Sequence, residues 1–83
     1  MTLHDQYLKA FQLQGWTPIH DPRVSRYTVL AKSGSQNKLF LGSSGAVRIG
    51  RTRTTSVPMR DETKAKLLRQ AEPQNIVGTQ LGL

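Results

Sequence analysis

The hydrophobic period of this chain changes from helical to alternating between its first and second thirds, and that switch restricts it to a mixed fold. Leu3, Tyr7, Leu8 and Phe11, with Ala10 and Leu13 beside them, recur at helical spacing. Thr2 stands three residues before Asp5, the spacing of an N-terminal cap, and Gly15 followed by Trp16 suits a C-terminal stop. The spacing predicts an amphipathic helix over Leu3 to Gln14. Pro18 and Pro22 hold their predecessors extended, so Trp16 to Arg23 reads as a connector.

From Arg26 onward three short runs, Arg26 to Lys32, Lys38 to Gly42 and Ala46 to Thr52, are rich in Val, Leu, Ile, Tyr, Phe and Thr. Ser33 to Asn37 and Ser43 to Gly45 separate them with turn-forming composition. These runs read as a three-stranded antiparallel meander. A second helix follows Pro58, with Asp61 and Glu62 at its positive end and Lys64, Lys66 and Arg69 toward its negative end. Ala65, Leu67, Leu68 and Ala71 form its apolar side, and Pro73 is expected to stop it.

The resulting order is αβββα, an α+β domain with two helices on one face of a three-stranded antiparallel sheet. It is expected to occupy residues 1–72, with residues 73–83 as a loosely ordered C-terminal tail. An 83-residue chain makes one small domain with a modest core, which leaves function to its surface. Strict alternation puts Tyr27, Val29 and Ala31 with Leu39, Leu41, Val47 and Ile49 on the covered face. The other face then carries Arg26, Thr28, Leu30, Lys32, Lys38, Phe40, Arg48 and Thr52. Arg51 falls with Val47 and Ile49 unless Gly50 hosts a bulge or bend.

Charge carries the functional signal. Lys and Arg number 12 against 5 acids, a formal charge of +7, and the excess is not spread evenly. No acid occurs between Asp21 and Asp61, whereas Arg23, Arg26, Lys32, Lys38, Arg48, Arg51, Arg53 and Arg60 all do. A stretch of this kind attracts anions in almost any fold. Nucleic acid, DNA or RNA, is the preferred partner. Arg23, Arg26, Lys32, Lys38, Arg51, Arg53 and Arg60 are assigned to phosphates, and Arg48 and Phe40 to the approach to bases. The alternatives are docking on an acidic protein surface and a basic face that only keeps the protein soluble.

Other patterns point to their plainer readings. Gly45 to Thr52 has the glycine spacing of a phosphate-binding loop, but Arg51 stands where lysine is needed and the intervening residues read as strand. Arg53-Thr54-Thr55-Ser56-Val57-Pro58 is similar to the substrate pattern of basic-directed kinases, and reads more simply as an extended lead-in to the second helix. His4 and His20 lack metal-ligand spacing, so no metal site or cofactor is expected. The chain has no cysteine, nucleophile elbow or paired carboxylates, so no catalytic residue is assigned and the chain reads as a non-enzyme. Absence of a long apolar run and of a signal-like start leads to the expectation of a cytoplasmic protein without a membrane partner.

The run Leu39-Phe40-Leu41-Gly42-Ser43-Ser44-Gly45-Ala46-Val47-Arg48-Ile49-Gly50-Arg51-Thr52 resembles a stretch in small uncharacterised accessory proteins of tailed bacteriophages and prophages. The resemblance implies a protein of the host cytoplasm. It transfers no binding residue, and it raises the alternative of a phage protein that binds an acidic surface of a host or virion protein and modulates or inhibits it.

Overall fold

The computed structural model describes the backbone of residues 2–81 and the side chains as far as Ala71. The first helix, α1, spans Leu3–Leu13. Thr2 Oγ1 accepts a hydrogen bond from the Asp5 amide at 3.2 Å, satisfying one of the amides a helix start leaves open. At the other end the Trp16 amide donates to the Phe11 carbonyl at 3.1 Å and the Gly15 amide to the Gln12 carbonyl at 3.0 Å. This is a Schellman stop, and it needs the left-handed backbone that Gly15 adopts at φ 96°. Both caps lie where the sequence spacing places them.

The sheet is antiparallel, but it has five strands instead of the expected three: β1 Thr17–Ile19, β2 Tyr27–Ala31, β3 Lys38–Gly42, β4 Val47–Gly50 and β5 Val57–Pro58. Their order is β1-β2-β3-β4-β5, a continuous meander. The two strands added to the expectation are its edges, and each contains a proline, Pro18 or Pro58. A proline has no amide to give to a ladder, which makes such segments read as connectors, yet an edge strand tolerates one because it has a partner on one side only.

The phase of β2 also differs from the alternation reading. Leu30 lies opposite Leu39, Thr28 opposite Leu41 and Val29 opposite Phe40. Leu30 therefore joins the helix side of the sheet, while Tyr27 and Val29 share the far side with Phe40. Tyr-Thr-Val-Leu-Ala is apolar in both parities, so its pattern cannot choose a face, and a one-residue shift exchanges the two. In the structure both faces of the centre are covered.

On the helix side, Tyr7, Ala10 and Phe11 of α1 pack on Leu30, Leu39, Leu41 and Val47. The second helix, α2, spans Asp61–Leu81 and lies against α1. It reaches the core through Leu67 and Ala71, with Leu68 half-buried and Ala65 exposed. Asp61 and Glu62 occupy its first turn as expected, where carboxylates meet the positive helix end. The helix does not end at Pro73, however, so Lys64, Lys66 and Arg69 fall in its first half and its last turn holds no base. A proline inside a helix removes one backbone bond without obliging the following turns to unwind. The expected tail, residues 73–83, lies where side chains, and at 82–83 the backbone, are outside the described residues. No described helix is long and apolar enough to cross a membrane.

Candidate nucleic-acid interface

The far side of the sheet is not the open basic face that alternation suggests. Val29 and Phe40 lie there and are 2% and 1% exposed, although neither belongs to the helix-side core. Two loops lie on this side, the one between β1 and β2 and the one between β4 and β5: Arg53 sits over Tyr27, and residues of both loops line a cleft with Lys38.

Local chemistry shapes each loop. In the first, the Asp21 carboxylate accepts from the Arg23 amide at 3.0 Å and the Asp21 carbonyl accepts from the Val24 amide at 3.0 Å. Asp at the first position and Pro22 at the second are the residues that favour such a turn. In the second loop, Thr52 Oγ1 accepts from the Thr55 amide at 3.2 Å, and Ser56 Oγ donates to the Arg53 carbonyl at 2.6 Å. The loop folds back onto the sheet at Gly50. A Cβ there would stand 2.6 Å from Ser56 Cα, closer than side-chain atoms approach backbone, so the passage needs glycine.

Folding the loops over the sheet gathers cations from separate parts of the chain. A cleft of about 170 Å³ runs among Arg23, Ser25, Arg26, Tyr27 and Arg53. A second, of about 300 Å³, runs among Asp21, Arg23, Lys38, Arg51, Thr52, Arg53 and Thr54. Arg23, Val24 and Arg53 line both, so the two adjoin. Among the described residues Asp21 is the single acid in either lining, and no Lys or Arg forms an ion pair with a carboxylate. Arg23, Arg26, Arg51 and Arg53 are exposed and Lys38 is half-buried. Like charges held together with so little compensation produce a positive potential that a bound anion relieves.

Of the nine residues assigned to nucleic acid, these five come together and four do not. Phe40 is buried and meets Tyr27 edge-on, with ring centroids 6.5 Å apart at 85°. It therefore presents no face to a base, which corrects its assignment as a stacking residue. Arg48, paired across the sheet with Pro58, turns its guanidinium onto the loop: Nε donates to Ser56 Oγ at 2.9 Å and Nη2 to the Ser56 carbonyl at 2.6 Å. Two of its donors hold the loop, which ties the guanidinium to Ser56. Lys32 lies away from the clefts, against Gly15 and above the Trp16 ring, with Nζ 5.8 Å from the centroid. Arg60 precedes α2 and lines neither cleft.

Tyr27, Asp21, Thr52 and Thr54 belong to the surface without having been singled out from the sequence. The Arg53 guanidinium sits 5.4 Å from the Tyr27 ring centroid, a cation–π contact that fixes it over the sheet. Arg51 donates to the Gln36 side chain, which links the β4–β5 loop to the β2–β3 turn. The Asp21-Pro22 turn signal was available in the sequence; the pairing of Tyr27 with Arg53 has no local signature.

The remaining motifs resolve simply. Gly45 to Thr52 forms a turn and β4, with no helix after it. Ser56 is 5% exposed and held by Arg48 and Arg53. His4 Nε2 lies 2.9 Å from Thr28 Oγ1, and among the described residues no group of three or more His, Cys, Asp or Glu is placed to hold a metal. On the helix side a concavity of about 310 Å³ among Trp16, Leu39, Ile49, Met59 and Leu67 has Lys66 as its one charged residue among those described. Compared with known proteins, the chain matches no family model, no curated protein and no solved structure.

Proposed function

We propose that this chain is a nucleic-acid-binding protein that contacts phosphates through Arg23, Arg26, Lys38, Arg51 and Arg53, without chemistry of its own. The observation that carries the reading is the convergence of these five cations on two adjoining clefts lined by one acid. Each phosphate neutralised by Lys or Arg releases condensed counterions, so a cluster of this kind gains affinity from the backbone of any nucleic acid. Arg48–Ser56 fastens the β4–β5 loop and Tyr27 holds Arg53, which lowers the ordering cost of binding at that residue. The setting that fits this reading is a cytoplasm, a host's if the protein is a phage accessory.

The test is a titration of labelled DNA and RNA across a salt series. With up to five phosphate contacts the affinity should fall on the order of 500-fold between 50 and 200 mM salt. Absence of binding at low salt sinks the reading, and nuclease-treated lysate then supplies the search for an acidic protein partner of the same surface.

A further inference from the structure

We infer that the cationic surface is built for the sugar-phosphate backbone of a duplex and not for single strands, an inference that rests on the nucleic-acid reading above. Proteins that hold single strands combine a basic groove with aromatic rings on which unpaired bases stack. Here a single ring, Tyr27, borders the clustered cations. The chain has five aromatic residues. Tyr7 and Phe11 are 6% and 3% exposed in the helix-side core, and Phe40 is 1% exposed beneath the loops. Trp16 packs against the helix-side core with Lys32 above its ring.

Tyr27 alone borders the clefts, and its ring is engaged on both counts. The Arg53 guanidinium covers it at 5.4 Å, and Phe40 meets it edge-on. A base that stacked on Tyr27 would have to displace Arg53, one of the cations that attract it. What the surface offers is positive charge with hydroxyl groups beside it, those of Thr52 and Thr54 among them. Such a surface binds in proportion to phosphate density, and a duplex carries one charge per about 1.7 Å of axis against about 3.4 Å along each strand.

The experiment is a competition at about 0.1 M salt between a short DNA duplex, an RNA duplex of the same sequence and the separated strands. Each duplex should bind about tenfold more tightly than its strands, because the counterion release per contact is larger. Preference for either duplex supports the inference, and the ratio between them identifies which source of phosphate the surface favours. Equal or tighter binding of single strands overturns it while leaving the nucleic-acid reading intact; no binding of any probe at low salt overturns both. A Tyr27→Leu variant, checked for folding by circular dichroism, gives an independent readout. Because Tyr27 holds Arg53, duplex and single-strand affinity should fall together with their ratio within about twofold of the parent's, which supports the inference; a selective loss of single-strand affinity of roughly 5-fold or more reveals a stacking platform and overturns it.

Discussion

Arg48 grips Ser56 with two donors, Nε on the hydroxyl at 2.9 Å and Nη2 on the carbonyl at 2.6 Å, and so fastens the cationic β4–β5 loop to the sheet beneath it. The fork geometry is particular to a guanidinium, since an ammonium cannot place two donors in one plane. Arg48→Lys should therefore keep the charge and still cost about 1–3 kcal/mol, the range for leaving a buried acceptor unpaired. A lowered midpoint in chemical denaturation with an unchanged slope is the outcome that checks it; wild-type stability would mean the clamp is incidental.

Gly50 permits the return of the loop. A methyl group there meets Ser56 Cα at 2.6 Å, and the obstacle is backbone, not a side chain that can rotate away. Gly50→Ala is expected to destabilise by about 1–3 kcal/mol through overpacking. Thermal unfolding measures the loss, and Gly34→Ala is not a suitable control because Gly34 has φ 83°.

Phe40 supports the interface from below. Phe40→Ala should cost about 3–5 kcal/mol, as deletion of a buried ring does. Phe40→Leu should leave the salt dependence of nucleic-acid binding as it is in the parent. A variant that folds normally yet binds with a reduced salt slope would return Phe40 to the contact surface.

Charge removal separates the gathered cations from the others. Arg51→Gln, Arg53→Gln and Lys38→Gln should each reduce the slope of log affinity against log salt by about 1. Lys32→Gln should not, because Lys32 lies over Trp16 and away from the clefts. Equal effects at all four positions would indicate a diffuse field with no site.

Tyr7 links stability to pH. Burial, with Asp61 contributing, holds its phenol above the usual value of 10.0. The folded state thus keeps a proton that the unfolded chain gives up, so the contribution is complete below pH 10.0 and is lost as the pH rises through the folded value. Tyr7→Phe keeps the ring and has no proton to lose. The difference in stability between the two proteins should shrink or reverse in the variant's favour above pH 10.0, as measured by denaturation at a series of alkaline pH values.

Local chemistry determined a good part of this molecule from sequence alone. Thr2 and Asp5 start α1, Gly15 and Trp16 stop it, and the Gly- and Ser-rich turns separate β2, β3 and β4, because caps and tight turns depend on residues within a few positions of one another. The acid-free stretch from Arg23 to Arg60 is likewise a property of the sequence, and it identifies the segment that carries the charge.

Only the tertiary structure decided which way that charge points. Tyr27 to Ala31 is apolar in both parities, so its facing depends on the register with Leu39 and Phe40. The prolines of β1 and β5 conceal strands that exist because neighbouring strands provide a ladder. Phe40 is buried on the side of the sheet where the loops lie, and Arg48 turns two donors onto one of them. The five cations that remain are brought together by contacts between residues far apart in the chain, and no local periodicity encodes such contacts.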